Sequence, residues 1–438
     1  MIRHRIESLI SDGVLAINDG YRAKNSELGN SGLPFARASN LNNGFQFEGA
    51  DRFPGARVSQ IGQKVSKPGD VVFTSKGTVG RFGLVGAATE RFVYSPQLCF
   101  WRVLDEKRID SRWLYYWMHG REFFEQYSGV KGQTDMADYV NLRDQRRMSI
   151  TLPHISLQRA VARVVGALDD KIDLNRRTNE TLENIARAIF KSWFVDFDPV
   201  RAKAEGRQHV GMDAETAALF PERLTESDVG QIPRGWRVGS LLEHAMLLSG
   251  GTPKTSVSEY WNGTIPWASA ADVSQCGECF LVQPERSITR RGLEESSTKL
   301  IPAFSTVVVA RGATTGRMCL LGKGMAMNQT CYALRSKSGG DFYLYCRARH
   351  EVDDLVHAAH GSVFDTITTS TFEASRVLLP PEAAIRRFDE VVEPSFRSIL
   401  IRQEESRNLT EIRDTLLPKL LSGELRIRDA EKMVEAHV

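Results

Sequence analysis

No stretch of this 438-residue chain is apolar for long enough to span a bilayer, which takes about 18 consecutive apolar residues. Its opening, MIRHRIESLISDG, lacks the apolar core of a signal peptide. The expected location is therefore the cytoplasm. Cysteine is scarce: Cys99, Cys276, Cys279, Cys319, Cys331 and Cys346 are scattered too widely for a disulfide framework, which agrees with a reducing compartment. Charge of one sign is also missing, because 57 basic and 54 acidic residues leave a net +3. That balance neither demands nor excludes nucleic acid, since binding needs local basic patches and not a basic total. With 42% hydrophobic and 25% charged residues, disordered and fibrous classes are disfavoured. The length exceeds one ordinary core and predicts two or three domains.

The signatures of catalysis and metal binding are absent as well. CGEC, Cys276 to Cys279, has the spacing of half a zinc site, but no second Cys or His pair accompanies it. HEVDDLVHAAH sets Asp353, His357 and His360 on one helical face, a spacing far commoner on a solvated helix than at a metal. GRMCLLGKG from Gly316 fails as a phosphate loop, with five residues between its glycines and Gly324 where Ser or Thr should follow Lys323. In PGDVVFTSK, Asp70 and Lys76 suggest a nuclease motif, yet Thr74 stands where the second acid belongs. No Asn-Pro-Pro-aromatic run of an adenine methyltransferase occurs.

What the chain does have is a repeat. LPHISLQRAVARVVGALDDKIDLNRRTNETLENIARAIFKSWF from Leu152 aligns without a gap on LPPEAAIRRFDEVVEPSFRSILIRQEESRNLTEIRDTLLPKLL from Leu379. Pro153 falls on Pro380, Arg159 on Arg386, Val164 on Val391, Leu182 on Leu409 and Ile185 on Ile412. Upstream the echo is looser: KGTVGRFGLV from Lys76 and SPQLCFW from Ser95 answer RGATTGRMCLL from Arg311 and MNQTCYA from Met327, and LPFARASNL from Leu33 answers IPWASAADV from Ile265.

Each copy thus reads as a globular module followed by a long helix. GDVVFTSKG, STVVVARGA and SRVLLP are β-branched runs bounded by turn residues, hence strands. SRWLYYWMHGREFFEQY and DFYLYCRARHEVDDLVHAAH carry helical periodicity. The modules are α+β with small sheets. In the repeated segments Leu157, Val161, Val164, Leu168, Leu182, Ile185 and Ile189, and then Phe388, Val391, Leu409, Ile412 and Leu416, alternate by threes and fours along a seam. Lys171, Asn175 and Thr178, with Arg402 and Glu405, place polar groups on that seam, which fixes register and partner. About 38 residues from Leu157 to Phe194 make a rod of about 60 Å. Pro394 predicts a kink or a late start in the second helix. The first helix ends in AIFKSWFVDFDPV, where Trp193, Phe194 and Phe197 are expected to cap the rod, and Asp198 and Pro199 to end it. The expected segments are 1–152, a first recognition module; 153–200, a helix with its aromatic cap; 201–235, a polar linker; 236–379, a second module; 380–425, a second helix; and 426–438, a tail.

Two similar modules on a rod position two binding events a fixed distance apart, and half-sites one turn apart on a duplex lie about 34 Å from each other. A bipartite DNA site is the natural ligand. AIFKSWFVDFDPVRAKAEGR, GMDAETAALFP, IPRGWRVGSL from Ile232 and LLPKLLSGELRI from Leu416 resemble the hallmarks of the DNA-specificity subunit of type I restriction-modification systems, over nearly the whole chain. The resemblance implies two target-recognition domains on an antiparallel coiled-coil spacer with internal pseudo-twofold symmetry, each domain reading one half of a split asymmetric site. It implies that the helices dock two methyltransferase subunits, with Leu182, Ile185, Leu409, Ile412, Leu416 and the aromatic cap as spacer or docking residues. It further implies that S-adenosylmethionine, ATP and Mg bind partner subunits, including restriction and translocase subunits, and that this chain holds no cofactor and no catalytic centre. The N-terminal module departs from the pattern by lacking the IPRGWRVGSL lead-in, so its first strands are expected to be missing or replaced.

Candidate DNA contacts lie first in the repeated glycine turn: Lys76, Thr78 and Arg81, and Arg311, Thr314, Thr315 and Arg317. Glycine lets backbone approach phosphate, and Arg or Lys neutralises phosphate or bridges a guanine edge. Gln97, Gln329 and Asn328 have the chemistry to bond adenine edges, although a backbone hydrogen bond is the commoner use of such an amide. Lys131 and Gln133 in KGQTDMADY, His360 and Ser362 in HGSVFDT, and Arg37, Ser39, Asn40 and Ser269 complete the set. The competing reading is a non-catalytic protein-protein scaffold with two binding modules on a coiled-coil rod. Salt-sensitive, sequence-dependent DNA binding separates the two.

Overall fold

A computed structural model describes residues 2–42, 44–76, 80–130, 140–359 and 366–435, without the side chains of 130 and 353–359. The chain divides into two compact units, Met1–Ile172 with Asn408–Val438, and Asp173–Arg407. Each unit holds one module and half of each long helix. No described helix is long and apolar enough to cross a membrane.

The first unit opens with strand Ile2–Arg5, which pairs antiparallel with Ser149–Leu152 just before the long helix. Its module has a four-stranded sheet in the order Leu15–Asp19, Leu98–Val103, Val71–Thr74, Phe82–Leu84, and a three-stranded one in the order Arg52–Phe53, Leu33–Ala36, Val93–Tyr94. Helices Ser111–Met118 and Arg121–Val130 cover the larger sheet, burying Trp113, Trp117 and Phe123 in one core with Phe73 and Trp101. Asp110 caps the first of them, accepting from the Trp113 N–H at 2.9 Å.

The second unit repeats this plan. Arg237–Gly239 pairs with Val377–Leu379 as Ile2–Arg5 pairs with Ser149–Leu152. Of the two expectations for the N-terminal module, a missing or a replaced first strand, the structure shows the second: IRHR fills the place of RVG, and its residues are mostly polar and exposed, so no apolar pattern announced it. The larger sheet runs Ala245–Ser249, Cys331–Ser336, Thr306–Val309, Met318–Leu321, Phe280–Leu281, and the smaller Arg286–Ile288, Trp261–Ala268, Ala326–Met327. In both modules the smaller sheet contains one parallel pair at matching register, Phe35 and Ala36 beside Val93 and Tyr94, and Trp267 and Ala268 beside Ala326 and Met327.

The long helices run Ile155–Phe194 and Glu382–Ser422. The second starts well before Pro394 and continues through it, so the expected late start does not occur. The helices pair antiparallel within each unit. In the first, Val161, Val164, Val165 and Leu168 share a core with Leu409, Leu416, Leu417 and Leu420, and Arg413 donates to Asp169 at 2.9 Å. In the second, Asn175, 2% exposed, donates to Glu405 at 2.7 Å and to Ser406 at 3.2 Å. A polar group this deep is tolerable only when bonded, and it fixes the register as the seam pattern predicts. Gly166 leaves room for Arg112, which donates to the Gly166 carbonyl at 3.0 Å and clasps Asp170 at 2.6 and 2.9 Å. A Cβ there would lie 2.6 Å from the guanidinium carbon.

Two boundaries differ from expectation. The first helix ends at Phe194, and Asp198 and Pro199 open the next helix, Asp198–Ala204, instead of ending the rod. Pro suits a first helical turn because its missing N–H is unpaired there anyway. Phe197 makes the corner at φ 58°, an uncommon conformation for a side-chain-bearing residue. The stretch 201–235, expected as a linker, carries helix Ala214–Ala218 and a hairpin of Leu224–Ser227 and Gly230–Pro233. Met212 and Phe220 are buried with Phe194 and Trp236, and Arg387 of the second long helix holds Asp213 at 2.8 Å.

Candidate nucleic-acid interface

The candidate segments, far apart in sequence, meet in each module through the same backbone bonds. In the first module the Ser75 N–H donates to the Gln97 carbonyl at 2.9 Å, Val140 to Ser75 at 3.1 Å, and Ser95 to Ala36 at 2.9 Å. In the second, Ala310 donates to Thr330 at 2.8 Å, Ile367 to Ala310 at 2.9 Å, and Asn328 to Ala268 at 2.9 Å. Three segments are thereby joined: the glycine turn, the Gln97 or Gln329 segment, and the Arg37 or Ser269 segment. Val140 and Ile367 lie beside them. The turn closes alike in both, Thr74 donating to Arg81 at 2.9 Å and Val309 to Arg317 at 2.8 Å. Gly80, Gly312 and Gly316, with φ of 102°, 98° and 88°, supply the left-handed geometry that only glycine adopts cheaply.

Side chains divide into those that face out and those committed inside. Lys76, Arg311, Arg317 and Ser39 are exposed. Arg81 is turned inward, donating to the carbonyls of Ala38 at 3.1 Å and Leu41 at 3.3 Å. Arg37 pairs with Asp51 at 2.7 Å and lies 5.5 Å from the centre of the Phe35 ring. Asn40 accepts from the Arg37 N–H at 2.8 Å, and Ser269 caps helix Ala270–Gln275 by accepting from Asp272 at 3.1 Å. Thr314 accepts from Ser274 at 2.7 Å, and Thr315 donates to the Gly312 carbonyl at 2.8 Å. Thr78, Lys131, Gln133, His360 and Ser362 lie outside the described residues.

The amides are spent within the chain. Gln97 accepts from the Ala38 N–H at 3.0 Å, Asn328 from Thr330 N–H and hydroxyl at 3.3 and 2.9 Å, and Gln329 from the Thr252 hydroxyl. Bidentate reading of adenine needs both the oxygen and the nitrogen of an amide, so in this arrangement the three position loops. Asp70 is an internal brace, fully buried and bonded to Arg102 at 2.6 and 2.7 Å and to the Tyr94 hydroxyl at 2.7 Å. Cys276 and Cys279 pack against different core clusters. Among the described residues no group of three or more His, Cys, Asp or Glu is placed to hold a metal.

Of the spacer residues, Leu409 and Leu416 are buried, and Ile412 and Leu182 pack at the core edges. Ile185, expected on the seam, is 48% exposed. Leu157 and Val391 are likewise exposed instead of seamed. Trp193, Phe194 and Phe197 are buried inside the second unit, Trp193 meeting Phe220 and Phe388 edge-on at 5.4 and 6.0 Å and Phe194 meeting Tyr343 at 4.9 Å. All three pack within this unit.

A further loop joins these segments in both modules. Gly20 and Gly250 each end the first strand of the larger sheet, and a Cβ on either would lie 2.0 or 2.1 Å from the carbonyl oxygen of Ser95 or Asn328. The next residue repeats too, Tyr21 donating to Tyr94 at 2.7 Å and Gly251 to Met327 at 2.9 Å. The signal available was GYRAKNS against GGTPKTS, where Gly, Lys and Ser recur at one spacing.

A module built twice on one backbone plan, with convergent loops and a paired-helix element, defines a class of two-part recognition proteins. The sequence profile of the type I restriction modification DNA specificity domain matches residues 11–184 and again 233–387, and the chain belongs to that family. It is similar to the type I restriction enzyme HindI specificity subunit of Haemophilus influenzae, 28% identical over 83% of this chain and 88% of the relative. The MjaIX specificity subunit of Methanocaldococcus jannaschii is 23% identical over 85% and 81% of the two chains. The crystal structure of a type I restriction-modification S subunit from M. genitalium shares the fold, with a TM-score of 0.58 at 14% identity over 96% of this chain and 95% of that one. Recognition of DNA is the function of this chain.

Proposed function

We propose that the two modules read the two unlike halves of one split DNA site while the paired helices set the gap between them and dock methyltransferase subunits. The observation that carries this reading is the repeated backbone scaffold bearing different side chains. Identical bonds hold the loops in place, yet Arg37 corresponds to Ser269, and inward Arg81 to outward Arg317. A shared frame with different outward residues suits two different sequences on one kind of polymer. With the aromatic cap buried, the docking surface is assigned to the exposed apolar residues of the helix pair in the second unit, Leu174, Ile185 and Ile401, which are 53%, 48% and 65% exposed. S-adenosylmethionine, ATP and Mg are assigned to partner subunits, as are methylation and cleavage.

The test is to exchange residues 236–379 for the matching segment of a relative and map the methylated motif. One half of the motif should change, with the other half and the gap retained. A motif changed in both halves, or left intact, would contradict the reading.

A further inference from the structure

The duplication provides a way to separate contacts to the DNA backbone from contacts to bases. Two modules reading different sequences still face the same phosphates, so an exposed cation kept at one structural position in both copies serves what the half-sites share. Positions that differ between copies serve what distinguishes them.

We propose that Lys24 and Lys254 are a duplicated phosphate contact, a proposal that rests on the DNA-recognition reading and extends it to a loop outside the sites described above. Both lysines follow the strapped glycine at the same spacing, in GYRAK and GGTPK. Both are exposed, and neither forms an ion pair among the described residues. The loop that carries each is fastened by different means in the two modules. In the second, the Trp267 indole N–H donates to the Gly251 carbonyl at 3.0 Å, the Trp261 indole to the Lys254 carbonyl at 3.3 Å, and Thr252 bonds Gln329. In the first, Glu27 accepts from the Lys24 N–H at 2.8 Å and is itself held by Arg57 at 2.9 Å. Different supports arriving at the same outward lysine point to the ammonium as the retained feature. The Thr252–Gln329 bond sets the second loop beside the candidate segments, and the strapped glycines set both loops against Ser95 and Asn328. A flexible point charge at the rim of such a surface neutralises a phosphate without reading sequence.

The test uses the full chain, a short duplex of random sequence and a second duplex carrying the mapped motif. Affinity is measured across salt concentrations for the wild type, Lys24→Ala with Lys254→Ala, and Lys24→Arg with Lys254→Arg. Each lost phosphate contact lowers the slope of log K against log salt by about 0.9, so the double alanine variant should lose about 1.8. The loss should be equal on both duplexes, and the arginine pair should keep the wild-type slope. Unchanged thermal unfolding shows that the exposed sites did not disturb the fold. A wild-type slope retained by the alanine pair, or a loss confined to the motif duplex, overturns the phosphate assignment and leaves DNA recognition standing. A wild type with no salt-dependent binding would overturn the DNA reading itself, and this proposal with it.

Discussion

At one matching point in their sheets the two modules solve the same packing problem in opposite ways. In the first module Asp70, Arg102 and Tyr94 form a buried ionic cluster, with Arg102 also donating to the Val65 carbonyl at 2.9 Å. Strand register puts Ser305, Arg335 and Met327 at the corresponding positions of the second, where Arg335 pairs with Asp341 at 3.0 Å and the Ser305 hydroxyl is buried with no partner among the described residues. The frame therefore tolerates wholesale exchange of interior chemistry while its backbone bonds stay the same. It also means that one substitution will be ruinous in one copy and harmless in the other.

The largest expected effect is Asp70→Ala, which strands the Arg102 charge in the core and should cost about 3–5 kcal/mol. Denaturant unfolding monitored in the first module measures it. Replacing both partners, Asp70→Ser with Arg102→Leu, removes the buried ion pair as a unit and should cost less than the single change. If the double variant were the worse of the two, the stranded Arg102 charge would not be the source of the cost. Trp193→Ala should cost about 3–5 kcal/mol through the cavity left among Phe194, Phe220 and Phe388, with hydrogen exchange rising first in the second unit.

A smaller effect separates the modules by pH. In the first, Gln158 on the long helix accepts from the Asp110 N–H at 3.0 Å at the start of a module helix. In the second, Asp389 does this work, accepting from Phe342 and Tyr343 N–H groups at 3.0 and 2.7 Å. Burial lifts the Asp389 carboxyl to about 7 against the pull of those two bonds. The folded state then holds the proton more tightly than the unfolded chain, so stability contributed by this residue is fully present at low pH and is lost as pH rises from about 4 to about 7. Asp389→Asn should flatten that dependence in the second unit, and an unchanged slope would assign it to another group. The smallest effect is Thr306→Val, which removes a buried hydroxyl with no partner among the described residues and should stabilise by about 1 kcal/mol. Loss of stability would reveal a partner for that hydroxyl.

Legibility in the sequence followed the range of the interactions. The long helices, the strands at Val71, Thr306 and Val377 and the repeat itself were readable, because periodicity is local and each pattern repeats along one element. Stretch 201–235 was not, since Met212 and Phe220 have no period of their own and find their partners across the chain. Ile185 fell on the predicted seam but outside the real one, because a heptad reading cannot follow the drift of a helix face over many turns. Among the candidate contacts, the loops that converge were identifiable from the repeat. What the side chains do there was not: the Gln97 bond to Ala38 and the Arg81 bonds to Ala38 and Leu41 join residues some forty to sixty positions apart.

The most direct measurement is a genome-wide map of methyladenine in cells that carry the methyltransferase with this chain and without it. Two unlike readers on a shared helix pair should yield one motif, split by a gap of constant length, with different halves, and only where the chain is present. A continuous motif, two identical halves, or a pattern that persists when the chain is removed would contradict the account.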